Sequence, residues 1–320
     1  MSWDSDSVSR ELILGQAHTE TNTYRSGNNS LLDNCTSCSR EATATPAYVA
    51  LYVSAVTVII ITVCGNLLVI TSVCHFRQLY TPTNILILSL AVADIFVGVF
   101  VMPLQFIWLI ESCWFFGTTV CAFFNFMSFH LTSASVHNVA LIAVDRYLAL
   151  SNPFFYSKKI TMNLIITVAS LNWLFSFGYN FALLYCNGFF THSLTLCPSE
   201  CLIAVNEIWA FVDLVVVFVL PCSVMIILYL KIFAIARRHA NAIRAANSQG
   251  NPNAKQHNVP KRSERKAAKV LGILVSVFLL CLVPYYICSF MADSIQNDIF
   301  NDVLNYMSAL LYLNSLFNPI

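Results

Sequence analysis

NILILSLAVADIFVGVFVMPLQFIW, residues 84–108, is an apolar run of 25 residues with a single ionisable side chain, Asp94, in its middle. A helix needs roughly 20 residues to cross a hydrocarbon core, so the run reads as a membrane span. Six further blocks of the same kind surround it, near 47–74, 118–144, 160–184, 204–232, 267–290 and 300–320. Of the 320 residues, 58% are hydrophobic and 10% charged, against about 25% charged in an ordinary soluble domain. Adjacent helices that are apolar on nearly every face argue against one soluble protein with a large core. The expected fold is an all-α membrane protein, a seven-transmembrane helix bundle over 47–320 behind a tail of residues 1–46.

Orientation follows from the basic residues. Fourteen of the seventeen fall on one side: Arg77 between spans one and two, Arg146, Lys158 and Lys159 between three and four, and ten from Lys231 to Lys269. The positive-inside rule makes that side cytoplasmic and leaves the N-terminus outside. The start MSWDSDSVSR is polar and acidic, unlike a secretory leader, so span one is expected to direct insertion itself. Two glycosylation sequons, at Asn28 and Asn34, agree with an external tail. The outward loops carry Glu111, Glu200, Asp293 and Asp298, with Glu207 and Asp302 at helix entrances, and no Lys or Arg. That acidity either draws cations to the mouth or is what remains once positive-inside selection has excluded bases.

The twelve cysteines divide by compartment. Cys64, Cys74, Cys222, Cys281 and Cys288 fall in spans and read as small apolar packing groups. Cys35, Cys38, Cys113, Cys121, Cys186, Cys197 and Cys201 lie at or beyond the outer face, where disulfides persist; seven is odd, so at least one stays unpaired, and spacing alone fixes no connectivity. On the inner side, residues 233–266 form a long loop with a polar centre. Its ends, ARRHANAIR and KRSERKAAK, read as basic helical extensions of spans five and six, either stop-transfer charges or a docking surface.

Carboxylates inside a membrane are costly, which makes Asp94, Asp145 and Asp213 candidates for function. Asp94, with Asn66, Asn314, Ser315 and Asn318 at similar depth, suits either a small hard cation or a hydrated polar network. Asp145-Arg146-Tyr147 near the foot of span three reads as a salt-bridge latch or as a solvated helix end. Asp213 lies eight residues before Pro221 in span five. An ammonium about 4 Å from it would gain about 4 kcal/mol at an effective dielectric near 20. The other reading of Asp213 is a protonated side chain hydrogen-bonded to a neighbouring helix.

Gly65-Asn66, the LAVAD run ending at Asp94, Cys121, Asp145-Arg146-Tyr147, Trp173, Pro221 with Tyr229, Pro284 and Asn318-Pro319 occur in the order seen in rhodopsin-like (class A) G-protein-coupled receptors. More narrowly, ESCWFFG before Cys121, CPSEC at 197–201, ERKAAKVLGI and NSLFNPI resemble the trace amine-associated receptors. The resemblance implies a Cys121–Cys201 bridge, a second from Cys197 to Cys38 (Cys35 being the weaker choice), and a sodium site of Asp94, Ser135, Asn314, Ser315 and Asn318. It also implies activation through Asp145, Arg146, Tyr147, Tyr229, Leu282 and Pro284, with helix six swinging outward. The partners implied are a small cationic amine, a stimulatory, olfactory-type heterotrimeric G protein and membrane lipid. No nucleic acid is implied, and no cofactor beyond a structural sodium ion.

The departures from that pattern matter as much. Amine receptors hold the ammonium with a span-three Asp seven residues after the cysteine, and here that residue is Ser128. The sequence in this respect resembles a non-classical branch of the fish receptors whose amine-recognising Asp is on the fifth helix, which assigns the cation to Asp213. Aromatic and hydroxyl groups expected around it are Tyr285, Tyr286, Tyr312, Thr132, Ser128 and Ser308, since a cation also favours ring faces. Tyr-Tyr at 285–286, where related receptors carry Phe-Phe, suggests a more polar ligand. Leu282 stands where the family has Trp, and the chain stops at Ile320, ahead of the family's span-seven tyrosine, helix eight and tail. A same-fold receptor for a non-amine ligand, with Asp213 structural, and a truncated, non-functional receptor are the competing readings. A transporter is more distant, because no repeats or interrupted spans are evident. A retinal protein would need a lysine in span seven, and residues 300–320 have none. Enzymatic motifs are missing, so the chain is not expected to be an enzyme.

Overall fold

The computed structural model describes residues 45–188, 201, 205–248, 262–292 and 298–319. Asn28, Asn34, Cys35, Cys38 and Cys197 lie outside them. Span one is Pro46–His75, span two Pro82–Glu111, span three Gly117–Ser151 and span four Met162–Cys186. Span five begins at Glu207 and runs to Ser248, span six is Arg262–Ala292, and span seven is Asp298–Tyr312 followed by the turn Asn314–Phe317. Among the described residues the first six are long and apolar enough to cross a membrane, and the seventh completes the bundle.

Helix starts are written locally. Thr45, Thr81, Asn152 and Thr161 each accept a hydrogen bond from a backbone N–H in the first turn, and Pro46, Pro82 and Pro153 occupy first positions where no N–H is needed. The helices run further than the apolar blocks. Span three continues past Asp145-Arg146-Tyr147 to Ser151, and a short helix, Pro153–Lys159, follows it where the sequence suggested only a loop. Helix also extends from span five to Ser248 and resumes at Arg262, leaving less of 233–266 as loop.

Polarity is inverted relative to a soluble protein. Leu280, Leu174 and Leu68 are 71%, 69% and 67% exposed, on faces that meet lipid, while Thr62, Asn66, Asp94, Asn138, Ser176 and Asn180 are buried between helices. These interior groups join the spans. Asn66 donates to the carbonyls of Thr62 and Ser315. Asn172 donates to the Ala134 carbonyl, and Trp173 Nε1 to Ser89, which donates in turn to Asn138. Interhelical hydrogen bonds take over part of the work that hydrophobic burial does in water.

Two wide π-turns break the regular helices. In span two, Val97–Val101 precedes Pro103, and in span five, Leu214–Val219 precedes Pro221. A proline inside a helix lacks the N–H and crowds the carbonyl four residues back. In span five the Leu220 N–H reaches back to the Val215 carbonyl, skipping Val216, whose oxygen is met instead by His137 Nε2 of span three at 3.2 Å. The irregular backbone is thus satisfied by a neighbouring helix, as hydrocarbon requires.

At the outer face, Cys121 and Cys201 form a disulfide and Cys113 is also disulfide-bonded, whereas Cys186 is free. Cys186 is therefore an unpaired member of the outer set. In the spans, Cys222 and Cys281 are buried as expected of packing groups, but Cys64 and Cys74 are exposed and point away from the core. Trp114 seals the loop before span three, donating from Nε1 to the Gly117 carbonyl at 3.0 Å and packing on Trp108, Phe116 and Phe124. Gly117 adopts φ 76° there, a conformation that a side chain disfavours. Glu111 accepts hydrogen bonds from the Tyr48 and Tyr52 hydroxyls, so this acid of the mouth fastens span one to span two.

Gly98 sits where spans one and two touch: a Cβ there would stand 3.0 Å from Val63 Cγ2 and 3.3 Å from Thr62 Cγ2, whereas one at Gly178 would meet nothing within 4 Å. Gly98→Val should destabilise the receptor by about 1–3 kcal/mol, read as a lower melting temperature in detergent, and Gly178→Val should melt like the parent chain.

Candidate ligand and signalling sites

A cavity of about 230 Å³ opens in the outer half of the bundle. All seven side chains singled out from the sequence line it: Ser128 and Thr132 from span three, Asp213 from span five, Tyr285 and Tyr286 from span six, and Ser308 and Tyr312 from span seven. Asp213 ends the first helical piece of span five, immediately before the π-turn. Its Oδ1 accepts a hydrogen bond from the Tyr179 hydroxyl of span four at 3.2 Å. No Lys, Arg or His among the described residues pairs with it. A phenol donor orients a carboxylate and leaves its charge to be matched by something else in the cavity.

Ring faces are close at hand. Tyr286 stacks on Phe218 with centroids 4.5 Å apart and meets Tyr285 edge-on at 5.3 Å. Deeper in span six, Leu282 is fully buried in the core two residues before Pro284, which lies inside the continuous helix, so the position that departs from the family pattern is filled by packed aliphatic volume. Several lining residues were not legible beforehand. Gln105, fully buried, donates to the Asn305 carbonyl at 3.2 Å, and Asn125 reaches back to the Cys121 carbonyl at 3.0 Å and to the sulfurs of the disulfide. The only hint was an amide in an apolar run one turn above Asp94's helix break for the first, and proximity to Cys121 for the second.

Halfway down, Asp94 is fully buried and its Oδ2 accepts from Asn318 Nδ2 at 2.7 Å. Among the described residues its Oδ1 and the buried Ser135 hydroxyl have no hydrogen-bond partner, while Ser315 donates to Asn314 Oδ1 at 3.3 Å. An unmatched carboxylate oxygen and an unmatched hydroxyl at the same depth are the kind of donors a small cation or water takes up.

At the cytoplasmic end, Asp145 is almost completely buried rather than solvated. Oδ2 accepts from Arg146 Nη2 at 2.7 Å, from Arg146 Nε at 3.0 Å and from the Thr83 hydroxyl at 2.7 Å, and Oδ1 accepts from the Tyr156 hydroxyl at 2.8 Å. Tyr156 belongs to the short helix after span three, so this latch includes a residue that sequence reading missed. Partial burial pushes the Tyr156 phenol up, and donation to the Asp145 carboxylate adds to this, which keeps the proton in the bond. Tyr147 lies under the Lys231 ammonium at 5.7 Å, and the buried Tyr229 hydroxyl has no hydrogen-bond partner among the described residues. Phe154, on the same short helix, is 83% exposed beside Lys158 and Lys159, an apolar knob with a basic rim on the cytoplasmic side.

An outer cavity and an inner ion-pair latch in one seven-helix bundle are the parts of a membrane receptor that passes a signal from one face to the other. The description "7 transmembrane receptor (rhodopsin family)" matches residues 65–320. Similar curated proteins include trace amine-associated receptor 13c of Danio rerio, 38% identical over 284 residues, 87% of this chain and 82% of that protein. Trace amine-associated receptor 7f of Mus musculus is 39% identical over 269 residues, 82% of this chain and 74% of that protein. Receptor 7d of the same species is 36% identical over 326 residues, covering 99% of this chain and 88% of that protein. The chain belongs to the rhodopsin family and, within it, to the trace amine-associated receptors: a multi-pass plasma-membrane signalling receptor and not an enzyme.

Tyr156→Phe removes one hydrogen bond to a buried charge, about 1.5–3 kcal/mol for a charged acceptor, and should raise ligand-independent signalling about twofold or more. The measurement is basal second messenger at matched surface expression, with the exposed Ser157→Ala as the control.

Proposed function

We propose that this receptor detects small cationic amines, that Asp213 holds the ligand ammonium, and that the bound state couples to a stimulatory, olfactory-type G protein that raises cyclic AMP. The observation that carries the reading is the placement of Asp213: a carboxylate in the wall of an aromatic cavity, oriented by Tyr179 and unmatched by any described cation. The relatives named for trace amines support the ligand class. On this reading, Ser128, Thr132, Tyr285, Tyr286, Ser308 and Tyr312 shape the site around the amine. Binding favours the packing in which Arg146 leaves Asp145 and helix six swings about Pro284, with Leu282 moving as part of the packed core. Arg146, Tyr147, Tyr229 and the exposed Phe154 then border the surface offered to the G protein. An external tail glycosylated at Asn28 and Asn34 and a Cys38–Cys197 bond belong to the same reading.

The hydrogen bond from Tyr179 is also what a purely structural Asp213 would make, so the decisive measurement is a ligand response. Amines applied to cells displaying the full-length receptor should raise cyclic AMP, and Asp213→Ala should weaken potency about 100-fold or more, the loss of a charge pair worth several kcal/mol. Potencies that survive Asp213→Ala at normal surface expression would make Asp213 structural and the ligand something other than an ammonium held there.

On the same reading a sodium ion takes up the unmatched Asp94 Oδ1 and Ser135 hydroxyl, with Asn314, Ser315 and Asn318 completing its surroundings. Such an ion would stabilise the inactive packing. Replacing sodium with a bulky organic cation should therefore raise agonist affinity in the parent receptor, and Asp94→Asn should abolish that dependence in a radioligand or cyclic-AMP assay.

A further inference from the structure

The ammonium site accounts for only one end of the cavity. Asp213 is the sole carboxylate on its described wall, and no cation lines it. Another part of the wall is neutral but polar. Ser128 is 6% exposed and lines the cavity, and among the described residues its hydroxyl makes no hydrogen bond of ordinary geometry although the Tyr312 phenol stands beside it. Ser308, from the same helix as Tyr312, donates to the Leu304 carbonyl and keeps its oxygen lone pairs for another donor. A buried hydroxyl without a partner is uncommon in a folded protein, and one that faces a ligand cavity is most economically matched by the ligand.

Resting on the amine reading, we propose that the site selects a monocation bearing a second, uncharged hydrogen-bonding group, as in an amino alcohol, with that group bound at the Ser128 hydroxyl beside Tyr312. Serine both donates and accepts, so a ligand hydroxyl satisfies it in either sense. A simple alkylamine leaves Ser128 unpaired. A diamine brings a second ammonium to a place with no second carboxylate, where its desolvation goes uncompensated. A site built for a hydroxyl discriminates against analogues lacking one because its own polar group is then stranded.

The test compares an n-alkylamine, an ω-amino alcohol and an α,ω-diamine on the same carbon chain, over a series of chain lengths, with the full-length receptor and cyclic AMP as the readout. At the best length the amino alcohol should be about tenfold more potent than either analogue, the scale of one buried neutral hydrogen bond. Ser128→Ala should collapse the amino alcohol onto the alkylamine, and Ser128→Asp should shift preference to the diamine. Should Ser128→Asp fail to reach the surface, Tyr312→Phe provides the second variant, expected to narrow the same gap. Equal potency of alkylamine and amino alcohol at every length, or a uniform loss for all three probes in Ser128→Ala, overturns the proposal while leaving Asp213 in place. Responses that persist in Asp213→Ala, or no response to any amine from a surface-displayed receptor, would instead remove the amine reading and this inference with it.

Discussion

Hydrocarbon offers no hydrogen bonds, and every polar group in this bundle is placed under that constraint. The backbone answers it with helices, and where proline prevents a regular helix the freed carbonyl finds a side chain on the next span, as Val216 finds His137. The side chains answer it by facing inward. Asn66, Ser89, Asn138 and Asn172 are all tied to groups on other spans, so the interior is a hydrogen-bonded frame wrapped in an apolar outer face. Among the described residues, the interior side-chain atoms left unmatched, on Asp94, Ser128, His130, Ser135, Asn138, Asn180 and Tyr229, then stand out.

Four of these seven mark the sites described above. Ser128 faces the outer cavity, Asp94 and Ser135 sit midway, and Tyr229 is near the inner latch at Arg146. A protein with two competing packings cannot satisfy every group in both of them. Partners missing in one arrangement are supplied by ligand, ion or water, or by the other arrangement, and differential satisfaction of this kind is what lets binding bias the equilibrium. The cytoplasmic latch shows the opposite condition: in this packing Asp145 is fully matched, accepting from Arg146, Thr83 and Tyr156 on three separate elements.

Much of this was legible in the amino-acid order. Seven apolar blocks, the one-sided distribution of basic residues and the interior acids depend on composition and period, which the membrane makes unusually informative. The seven residues expected at the ligand site came from helical phase and family resemblance, and they share one cavity. What could not be read were partners supplied by other helices. Tyr179 sits in an apolar stretch of span four with nothing to mark it as the donor to Asp213. The sequence left the Asp145 pair open between a latch and a solvated helix end, because its burial by Thr83 and Tyr156 depends on how span two and the helix Pro153–Lys159 pack. Outward-facing Cys64 and Cys74 show the reverse error, since a lipid-facing cysteine and a buried one look alike in an apolar run.

The wide turn at Leu214–Val219 has a consequence for how span five should be counted. On a regular helix at about 100° per residue, a side chain eight positions before Pro221 would point about 80° away from it. A π-turn absorbs one extra residue, so Asp213 instead lies within about 20° of the Pro221 direction, on the buried side that also carries Val217. The azimuth of the carboxylate is thus set by the proline a full two turns nearer the cytoplasm. In effect Pro221 is an address for Asp213: inserting one residue between them would swing the acid by about 100° and shift it by about 1.5 Å, whereas deleting one and closing the π-turn into a regular helix would keep it facing the same way.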